Sequence, residues 1–391
     1  MLDIKNTKVV ILAGGKGTRL GSLTKDMPKP LLPVNKKPFL DYIINNFSRY
    51  GFRNFIILAG YYGDRIKSYY KNYSNKNLNI RVIIEEEPLG TAGCLLLAED
   101  YLSDNFLVTN GDSILDFNYL SLWDNLDESS FICKIALRYL KDSQRYGQVI
   151  LHKNSSFIKE FSEKSLEKNS AGLVNGGVYL LNKKILSYVE KKQCSIEQDI
   201  FPKLVKNNKI LGAKFEGFFI DIGIPSTYKS VQNEINLFLY KPAVLLDRDN
   251  TLNRDHGYTH KIVDLEWLKG AKEFIRKCND IGRYVFVVTN QAGIAKGKYK
   301  ETDVQKFHDE MQLQLNQIGA HVDEFVYCPH HPEGVISKYK KKCNCRKPNS
   351  GMLEYLKNKW YVDWEKSFLV GDMKSDIHAA EKFGIRGILF D

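Results

Sequence analysis

The sequence predicts an α/β protein of two domains, residues 1–240 and 241–391, and three observations predict it. Short apolar runs alternate with amphipathic stretches through the first part. The alternation stops at Tyr240-Lys241-Pro242 and then begins again. A chain of 391 residues is long enough for two or three separate cores.

In the first domain, residues 9–13, 55–59, 82–84 and 106–109 are short continuous apolar runs and read as buried strands. Residues 38–50, 64–73 and 91–102 read as the helices between them. Such alternation predicts a parallel sheet with helices on both faces. Pro242, just ahead of a fresh apolar run, marks the seam. Beyond it, residues 243–246, 285–289, 325–327 and 368–370 are strand-like, and helices are expected at 271–281, 302–318 and 352–359. The Asn/Lys-rich stretch 72–79 reads as a loop, and there are no repeats.

A formal charge of +11 raises the question of nucleic acid. The excess is +7 over residues 1–240 and +4 over 241–391, mostly scattered lysine, with Lys340-Lys341-Lys342 as the one cluster. Dispersed positive charge draws small anionic substrates and makes a poor nucleic-acid footprint. No apolar run approaches the roughly 18 residues of a membrane helix. The first run ends in Gly14-Gly15 without a cleavage-like segment, so a signal peptide is not expected. Three of the seven cysteines crowd into residues 328–345, which points to metal in a reducing compartment. A cytoplasmic protein with neither nucleic-acid nor membrane partner is expected; its oligomeric state stays open.

The first candidate site begins where the first strand ends. Leu12-Ala13-Gly14-Gly15-Lys16-Gly17-Thr18 precedes helical residues, where backbone N–H groups can cradle phosphates, and glycine permits close approach. Arg19, Lys25 and Lys29 add positive charge suited to a triphosphate. A glycine turn alone is as often a plain tight turn. The run continues through Pro28-Lys29-Pro30-Leu31-Leu32-Pro33-Val34, and this whole segment resembles the sugar-1-phosphate nucleotidylyltransferase family. Further segments agree in order: Glu87-Pro88-Leu89-Gly90-Thr91-Ala92-Gly93 with the family's base-reading loop, Asn110-Gly111-Asp112 with its metal-binding strand end, and Asn175-Gly176-Gly177-Val178-Tyr179 with its sugar-binding turn. Phe161-Ser162-Glu163-Lys164 resembles the sugar-phosphate segment, with Ser165 in place of the usual proline, and Asp221 supplies a second acid. Singly, Asp112 and Asp221 are ordinary strand-end turn residues; together and in this order, the resemblance makes them Mg²⁺ ligands. It implies a Rossmann-like, GT-A-like mixed sheet. It also implies attack by a sugar-1-phosphate oxygen on the α-phosphorus of a nucleotide, with Arg19 and Lys29 neutralising charge and Lys164 holding the sugar phosphate.

The second candidate site opens with Asp247-x-Asp249-x-Thr251 after an apolar run. Carboxylates spaced i, i+2 at a strand end both reach the carboxyl edge of a sheet, one as nucleophile and one as acid/base. A lone D-x-D is common in loops. Thr289-Asn290, Lys347 and Gly371-Asp372 with Asp376 follow, in the order of the haloacid-dehalogenase (HAD) phosphatases, which residues 243–391 resemble. The resemblance implies that Asp247 forms an aspartyl phosphate, that Asp249 protonates the leaving alcohol and activates water, and that Thr289 and Lys347 hold the phosphoryl oxygens. Asp247, Asp249 and Asp372 would bind Mg²⁺, with Asp376 as a supporting acid. Between these motifs, Cys328-x-His330 and Cys343-x-Cys345 have the composition of a closed zinc site, preferred over a thiol-rich surface loop. It would be structural, presenting Arg346 and Lys347, with His331 facing outward.

Within the HAD phosphatases two branches carry such a zinc loop, the histidinol-phosphate and heptose-1,7-bisphosphate phosphatases. Asp255-His256-Gly257-Tyr258, Thr289-Asn290-Gln291-Ala292-Gly293 and Cys328-Pro329-His330-His331-Pro332 resemble the heptose branch. Asn250 stands where that branch usually has glycine, and Met373-Lys374 replaces a frequent Asp-Lys pair. The combined resemblance implies removal of the 7-phosphate from a heptose bisphosphate, followed by coupling of heptose 1-phosphate to GTP. Other sugars or nucleotides, histidinol-phosphate-type activity, a nucleic-acid end-processing phosphatase and a non-catalytic binding protein are the alternatives. The absence of G-x-x-x-x-G-K-[ST] argues against the kinase that usually partners an end-processing phosphatase, and the intact Lys29, Asp112, Asp247, Asp249 and Asp372 against the non-catalytic reading.

Overall fold

Strand Lys8–Ala13 has the sequence KVVILA, apolar at nearly every position as a strand buried on both faces requires. It pairs in parallel with Asn54–Ala59 on one side and Asn105–Asn110 on the other, and Asn79–Ile84 extends the sheet. The computed structural model describes residues 3–75, 77–126, 131–143, 146–162 and 171–390. It divides into two compact units, Met1–Ile235 and Asn236–Asp391. The division falls inside helix Pro225–Leu239, a few residues before Tyr240-Lys241-Pro242.

Beyond Asn105–Asn110 the first sheet turns antiparallel. Gly172–Asn182 pairs antiparallel with Asn105–Asn110 and with Cys133–Leu140, and Ile210–Phe215 joins the latter in parallel. The sheet is therefore mixed, which corrects the wholly parallel sheet that alternation alone predicts. Parallel neighbours need crossover helices, and the described residues between Asn110 and Cys133 hold only a short strand and a five-residue 3₁₀ turn. Helices Phe39–Arg49 and Gly63–Lys71 form as the apolar spacing predicts. The helix expected over 91–102 does not: one turn, Gly90–Gly93, gives way to 3₁₀ geometry over Cys94–Tyr101. The N–H groups of Ala92 and Gly93 turn aside to the Cys194 carbonyl, at 2.8 and 3.2 Å.

The second unit is a five-stranded parallel sheet in the order Glu324–Cys328, Tyr284–Asn290, Lys241–Leu246, Val362–Gly371, Arg386–Leu389. Alternation sends Leu245, Phe286 and Leu369 into one core and Val244, Leu246, Val285 and Val287 into the other, on the opposite face. Helices Ala271–Asp280, Glu301–Gln317 and Gly351–Lys359 match the expected spans. Helix Lys374–Phe383 escaped the sequence reading; Asp376 starts it by accepting the Met373 N–H at 3.0 Å. Among the described residues no helix is long and apolar enough to cross a membrane.

Candidate functional site

The chemistry-bearing residues gather at two strand-end sites, one in each unit. In the first, Gly14, Gly15 and Gly17 leave the end of strand Lys8–Ala13, and the Gly111 N–H binds the Leu12 carbonyl at 2.9 Å. That bond sets the Asn110-Gly111-Asp112 turn beside the glycine loop. Gly17 has φ of 65°, in the left-handed region that favours glycine. A short antiparallel ladder, Ser113–Leu115 with Phe219–Asp221, brings Asp112 and Asp221 close, and the Ile222 N–H binds the Asp112 carbonyl at 3.0 Å.

Lys29 is ion-paired with Asp112. A Cβ on Gly223 would lie 2.5 Å from Asp221 Oδ1 and 3.3 Å from both Arg19 Nη2 and Lys29 Nζ. Arg19, Lys29 and Asp221 thus converge on one point, and Lys29 links them to Asp112. Two carboxylates among these cations suit a hard ion bridging phosphates. Thr18 and Lys25 are exposed, and the Lys25 carbonyl is gripped by the Tyr61 and Tyr62 hydroxyls at 3.2 and 3.0 Å.

Several expected ligand-binding groups are engaged within the protein instead. The Thr91 hydroxyl donates to Glu197 at 3.0 Å and accepts from the Ile196 N–H at 2.8 Å. A side chain at Gly90 would strike the Cys194 carbonyl at 2.5 Å. Asn175 accepts from the Gly177 N–H at 2.9 Å and donates to the Tyr179 hydroxyl at 2.9 Å, which shapes the Asn175-Gly176-Gly177 turn. That turn comes within 2.9 Å of Asn110 Nδ2, measured from a Cβ built on Gly177. Glu87 pairs with Lys192 at the surface. The acid set against the glycine loop is Glu85, which the sequence reading passed over: its Oε1 lies 2.0 Å from a Cβ on Gly14 and 2.3 Å from one on Gly60. Its other oxygen accepts the Leu89 N–H at 3.2 Å, and burial pushes its pKa up. Glu163 and Lys164 lie outside the described residues.

In the second unit the parallel register places Asp247, Thr289 and Asp372 at the carboxyl ends of three adjacent strands. Lys347 is the hub. Its Nζ lies 2.8 Å from Asp247 and 2.5 Å from Asp376, and donates to the Val288 carbonyl at 2.7 Å. Asn290 exchanges two hydrogen bonds with the Lys347 backbone, at 3.1 and 3.0 Å, and so holds this lysine in place. Burial would lower the Lys347 pKa, but Asp247 and Asp376 outweigh it and hold the ammonium above its usual range. Burial raises Asp247 against the pull of Lys347, and Asp372 is raised by burial and by its two acidic neighbours.

Asp247, Asp372 and Asp376 offer oxygens that all lie within 4.8 Å of one another. Asp372 Oδ1 is buried without a hydrogen-bond partner. Three crowded carboxyls with one orphaned oxygen fit a divalent oxygen-seeking cation. Asp376, expected only as a supporting acid, is in this cluster. Asp249, expected as a metal-binding group, is outside it, because Arg248 grips its carboxylate through Nε and Nη2 at 2.9 and 3.0 Å. Asn250 adopts φ of 57°, so asparagine meets the left-handed turn that glycine would otherwise supply.

The sulfurs of Cys328, Cys343 and Cys345 lie 3.5, 3.1 and 3.2 Å apart, and His330 Nδ1 is 3.8 and 3.3 Å from Cys328 and Cys345. These separations exclude disulfides, near 2.05 Å, and approach the roughly 3.8 Å edges of a tetrahedron with Zn–S bonds of about 2.3 Å. Hydrogen bonds from Cys328, Cys343 and His330 hold the Cys345 thiol down at about 5, and the same contact with Cys345 pushes the Cys328 thiol up. His331 is apart from it, accepting the Glu333 N–H at 3.1 Å. Arg346 donates to the His330 carbonyl at 3.4 Å, which fastens the start of the Arg346-Lys347 segment to the cluster.

Residues 8–236 match the nucleotidyl transferase family, and residues 344–391 match a HAD-hydrolase-like family. Over 221 residues the chain is 36% identical to the D-glycero-alpha-D-manno-heptose 1-phosphate guanylyltransferase of Campylobacter jejuni, covering 56% of this chain and 96% of the relative. Over 151 residues it is 42% identical to the D-glycero-beta-D-manno-heptose-1,7-bisphosphate 7-phosphatase of Rhodopseudomonas palustris, covering 39% of this chain and 84% of the relative. The crystal structure of HddC from Yersinia pseudotuberculosis, complexed with GMP-PN, superposes with a TM-score of 0.53 at 31% identity, over 59% of this chain and 99% of that one.

Proposed function

The chain belongs to the nucleotidyl transferase family through its first unit and to the heptose-bisphosphate 7-phosphatases through its second, and from that premise we propose that it runs two consecutive steps towards GDP-heptose. The second unit hydrolyses the 7-phosphate of D-glycero-D-manno-heptose 1,7-bisphosphate. The first unit couples the resulting heptose 1-phosphate to GMP from GTP. The carrying observation is that one relative is named for an activity that leaves a 1-phosphate, and the other for an activity that uses one.

In the phosphatase unit Asp247 attacks phosphorus and the bond to the C7 oxygen breaks, with Asp249 supplying that oxygen's proton. Water then attacks the aspartyl phosphate while Asp249 takes its proton. Lys347 and Thr289 hold the phosphoryl oxygens. Asp247, Asp372 and Asp376 would hold Mg²⁺, which when bound neutralises phosphoryl charge. In the transferase unit the sugar phosphate oxygen attacks the α-phosphorus and pyrophosphate leaves; Arg19 and Lys29 neutralise the charge, and Asp112 and Asp221 would hold a second Mg²⁺. Cys328, His330, Cys343 and Cys345 would hold a structural Zn²⁺.

Guanine is supported by Glu85. A carboxylate accepts two adjacent N–H donors, and among the common bases guanine offers such a pair through N1–H and its 2-amino group. The two relatives are named for different anomers, α for the transferase and β for the phosphatase. Only the transferase bonds to the anomeric phosphate itself, whereas the phosphatase acts at C7. We therefore assign the α anomer. A one-pot assay with Mg²⁺, α-heptose 1,7-bisphosphate and GTP tests the whole reading: phosphate, then pyrophosphate and GDP-heptose, are expected in that order. Phosphate without pyrophosphate would overturn the nucleotide or anomer assignment, and no phosphate would overturn the heptose reading.

A further inference from the structure

Gln291 is buried to 1% exposure next to the phosphatase machinery and takes no part in the phosphoryl-transfer steps proposed for it. Its amide nitrogen donates to Asp249 Oδ2 at 2.9 Å and to Thr289 Oγ1 at 2.9 Å. Its amide oxygen accepts the Tyr299 hydroxyl at 2.6 Å. The Gln291 N–H is itself fixed, bonded to the Cys328 carbonyl at 2.8 Å.

The proton directions in this chain follow from Asp249. Its Oδ2 accepts from both Gln291 Nε2 and Arg248 Nη2, so the NH₂ end of Gln291 faces it and the carbonyl end faces Tyr299, which donates. Both amide hydrogens are then assigned, one to Asp249 and one to Thr289. Thr289 Oγ1 is thereby an acceptor from Gln291, and its own hydrogen makes no hydrogen bond among the described residues. That hydroxyl is 1% exposed at the residue level and sits at the strand end beside Asp247. The packing serves the same arrangement: a Cβ on Gly293 would lie 2.2 Å from the Tyr299 ring, so the glycine of Thr289-Asn290-Gln291-Ala292-Gly293 makes room for the locking tyrosine. His260 stacks on the Tyr299 ring, with centroids 4.6 Å apart.

We propose that Gln291, locked by Tyr299, is a positioning residue that turns the Thr289 hydroxyl hydrogen towards the phosphoryl group and fixes the Asp249 carboxylate beside it. This rests on the phosphatase reading of the second unit. It explains why a neutral amide stands there. Glutamate, of the same shape, would place a second acceptor against Asp249 and would take the Thr289 hydrogen for itself.

The test measures kcat and KM of the full chain with Mg²⁺, on p-nitrophenyl phosphate and on heptose 1,7-bisphosphate, for Gln291→Glu, Gln291→Ala and Tyr299→Phe. Thermal unfolding of each variant is followed in parallel. If Gln291 directs protons, the isosteric Gln291→Glu is the worse of the two, with kcat down about 100-fold or more, the range for a misplaced acid/base. In a Thr289→Ala background its effect shrinks, because one of its two targets is gone. Tyr299→Phe, which keeps the amide but frees it to rotate, lowers kcat about five-fold or more. Gln291→Glu at or above the activity of Gln291→Ala would mean a filler of space and would overturn the proposal. Wild-type kcat in Tyr299→Phe would overturn it too, even if Gln291→Glu did not fold. If wild type cleaves p-nitrophenyl phosphate and leaves the heptose bisphosphate intact, the sugar assignment falls, and the p-nitrophenyl series still decides the role of Gln291.

Discussion

Both sites are organised around a lysine paired with an aspartate at the end of a central parallel strand or its neighbour, and the two pairs differ in burial. Lys29 and Asp112 are 8% and 32% exposed at their side chains, whereas Lys347, Asp247 and Asp376 are 1%, 11% and 0% exposed. The first site is built largely from backbone: glycine turns, strand-end carbonyls and a loop gripped by Tyr61 and Tyr62. The second is built from sealed, pre-paired charge. The difference follows the chemistry proposed for each. Nucleotidyl transfer asks the protein to position two large anionic substrates, and an open cradle of amides and cations does that. An aspartyl phosphate requires the nucleophile to be held in place and its surroundings to be polarised before substrate arrives, which water-exposed charges do poorly.

The largest expected effect separates the two sites outright. Asp247→Asn should reduce phosphate release on the order of 10⁴-fold or more, the scale for loss of a covalent nucleophile. GTP-dependent pyrophosphate release from heptose 1-phosphate should be unchanged; a parallel loss of transfer would break the picture of two independent sites. Lys347→Met sharpens the contrast in stability. It leaves Asp247 and Asp376 buried without their cation, at a cost of about 3–5 kcal/mol. Lys29→Met should cost about 1 kcal/mol or less, since its partner faces solvent. Denaturant unfolding monitored by tryptophan follows both units, the first through Trp123 and the second through Trp267, Trp360 and Trp364. Equal losses for the two variants would refute the distinction in burial.

The two sites also differed in how far they could be read from sequence. The glycine loop and Pro28-Lys29-Pro30 are contiguous, so their spacing alone carries the signal. The second site is assembled from four distant segments, and only their order pointed to it. Side-chain partners were the least legible part. Nothing in the local sequence says that Asn290 turns to the Lys347 backbone, that Thr91 is engaged by Glu197, or that Asp376 joins Asp247 and Asp372. Each depends on residues more than fifty positions away or on a helix the periodicity did not disclose. The antiparallel half of the first sheet was missed for a related reason. Strands Cys133–Leu140 and Gly172–Asn182 carry charged or glycine positions that weaken a simple apolar run. Both strands are buried over most of their length, so it was their composition and not their exposure that hid them.

A smaller effect should come from removing metal. A strong chelator should destabilise the second unit by on the order of 3 kcal/mol, the linkage value for an ion present at a hundred-fold excess over its dissociation constant, and should lower phosphatase activity after Mg²⁺ is restored. The first unit has no part in the Cys/His cluster, so transfer should recover fully with Mg²⁺ alone. Glu301 limits the damage, because it accepts hydrogen bonds from Tyr327, at 2.9 Å, and from Tyr339 and so pins the loop independently of the cluster. A Cys345→Ser variant that keeps full stability and phosphatase activity would remove zinc from the account.

The smallest expected effect probes whether the open site has any side-chain reading of its own. Glu85→Gln keeps the shape and the bond from the Leu89 N–H but replaces one acceptor oxygen with a donor. A base offering two donors loses one partner, while a base offering an acceptor beside a donor gains one. Discrimination by such paired contacts is typically about 1–3 kcal/mol. The ratio of kcat/KM for GTP over ATP should therefore fall about tenfold or more, with most of the change in KM and the Asp112-dependent rate retained. If preference for GTP survives Glu85→Gln, the base is read by backbone, and the first site is a backbone cradle throughout. If the preference collapses, the glycine loop has one half-buried carboxylate set against it, and the contrast between the two sites becomes one of degree. The position of Glu85 against Gly14 and Gly60, where neither residue leaves space for a Cβ, favours the second outcome.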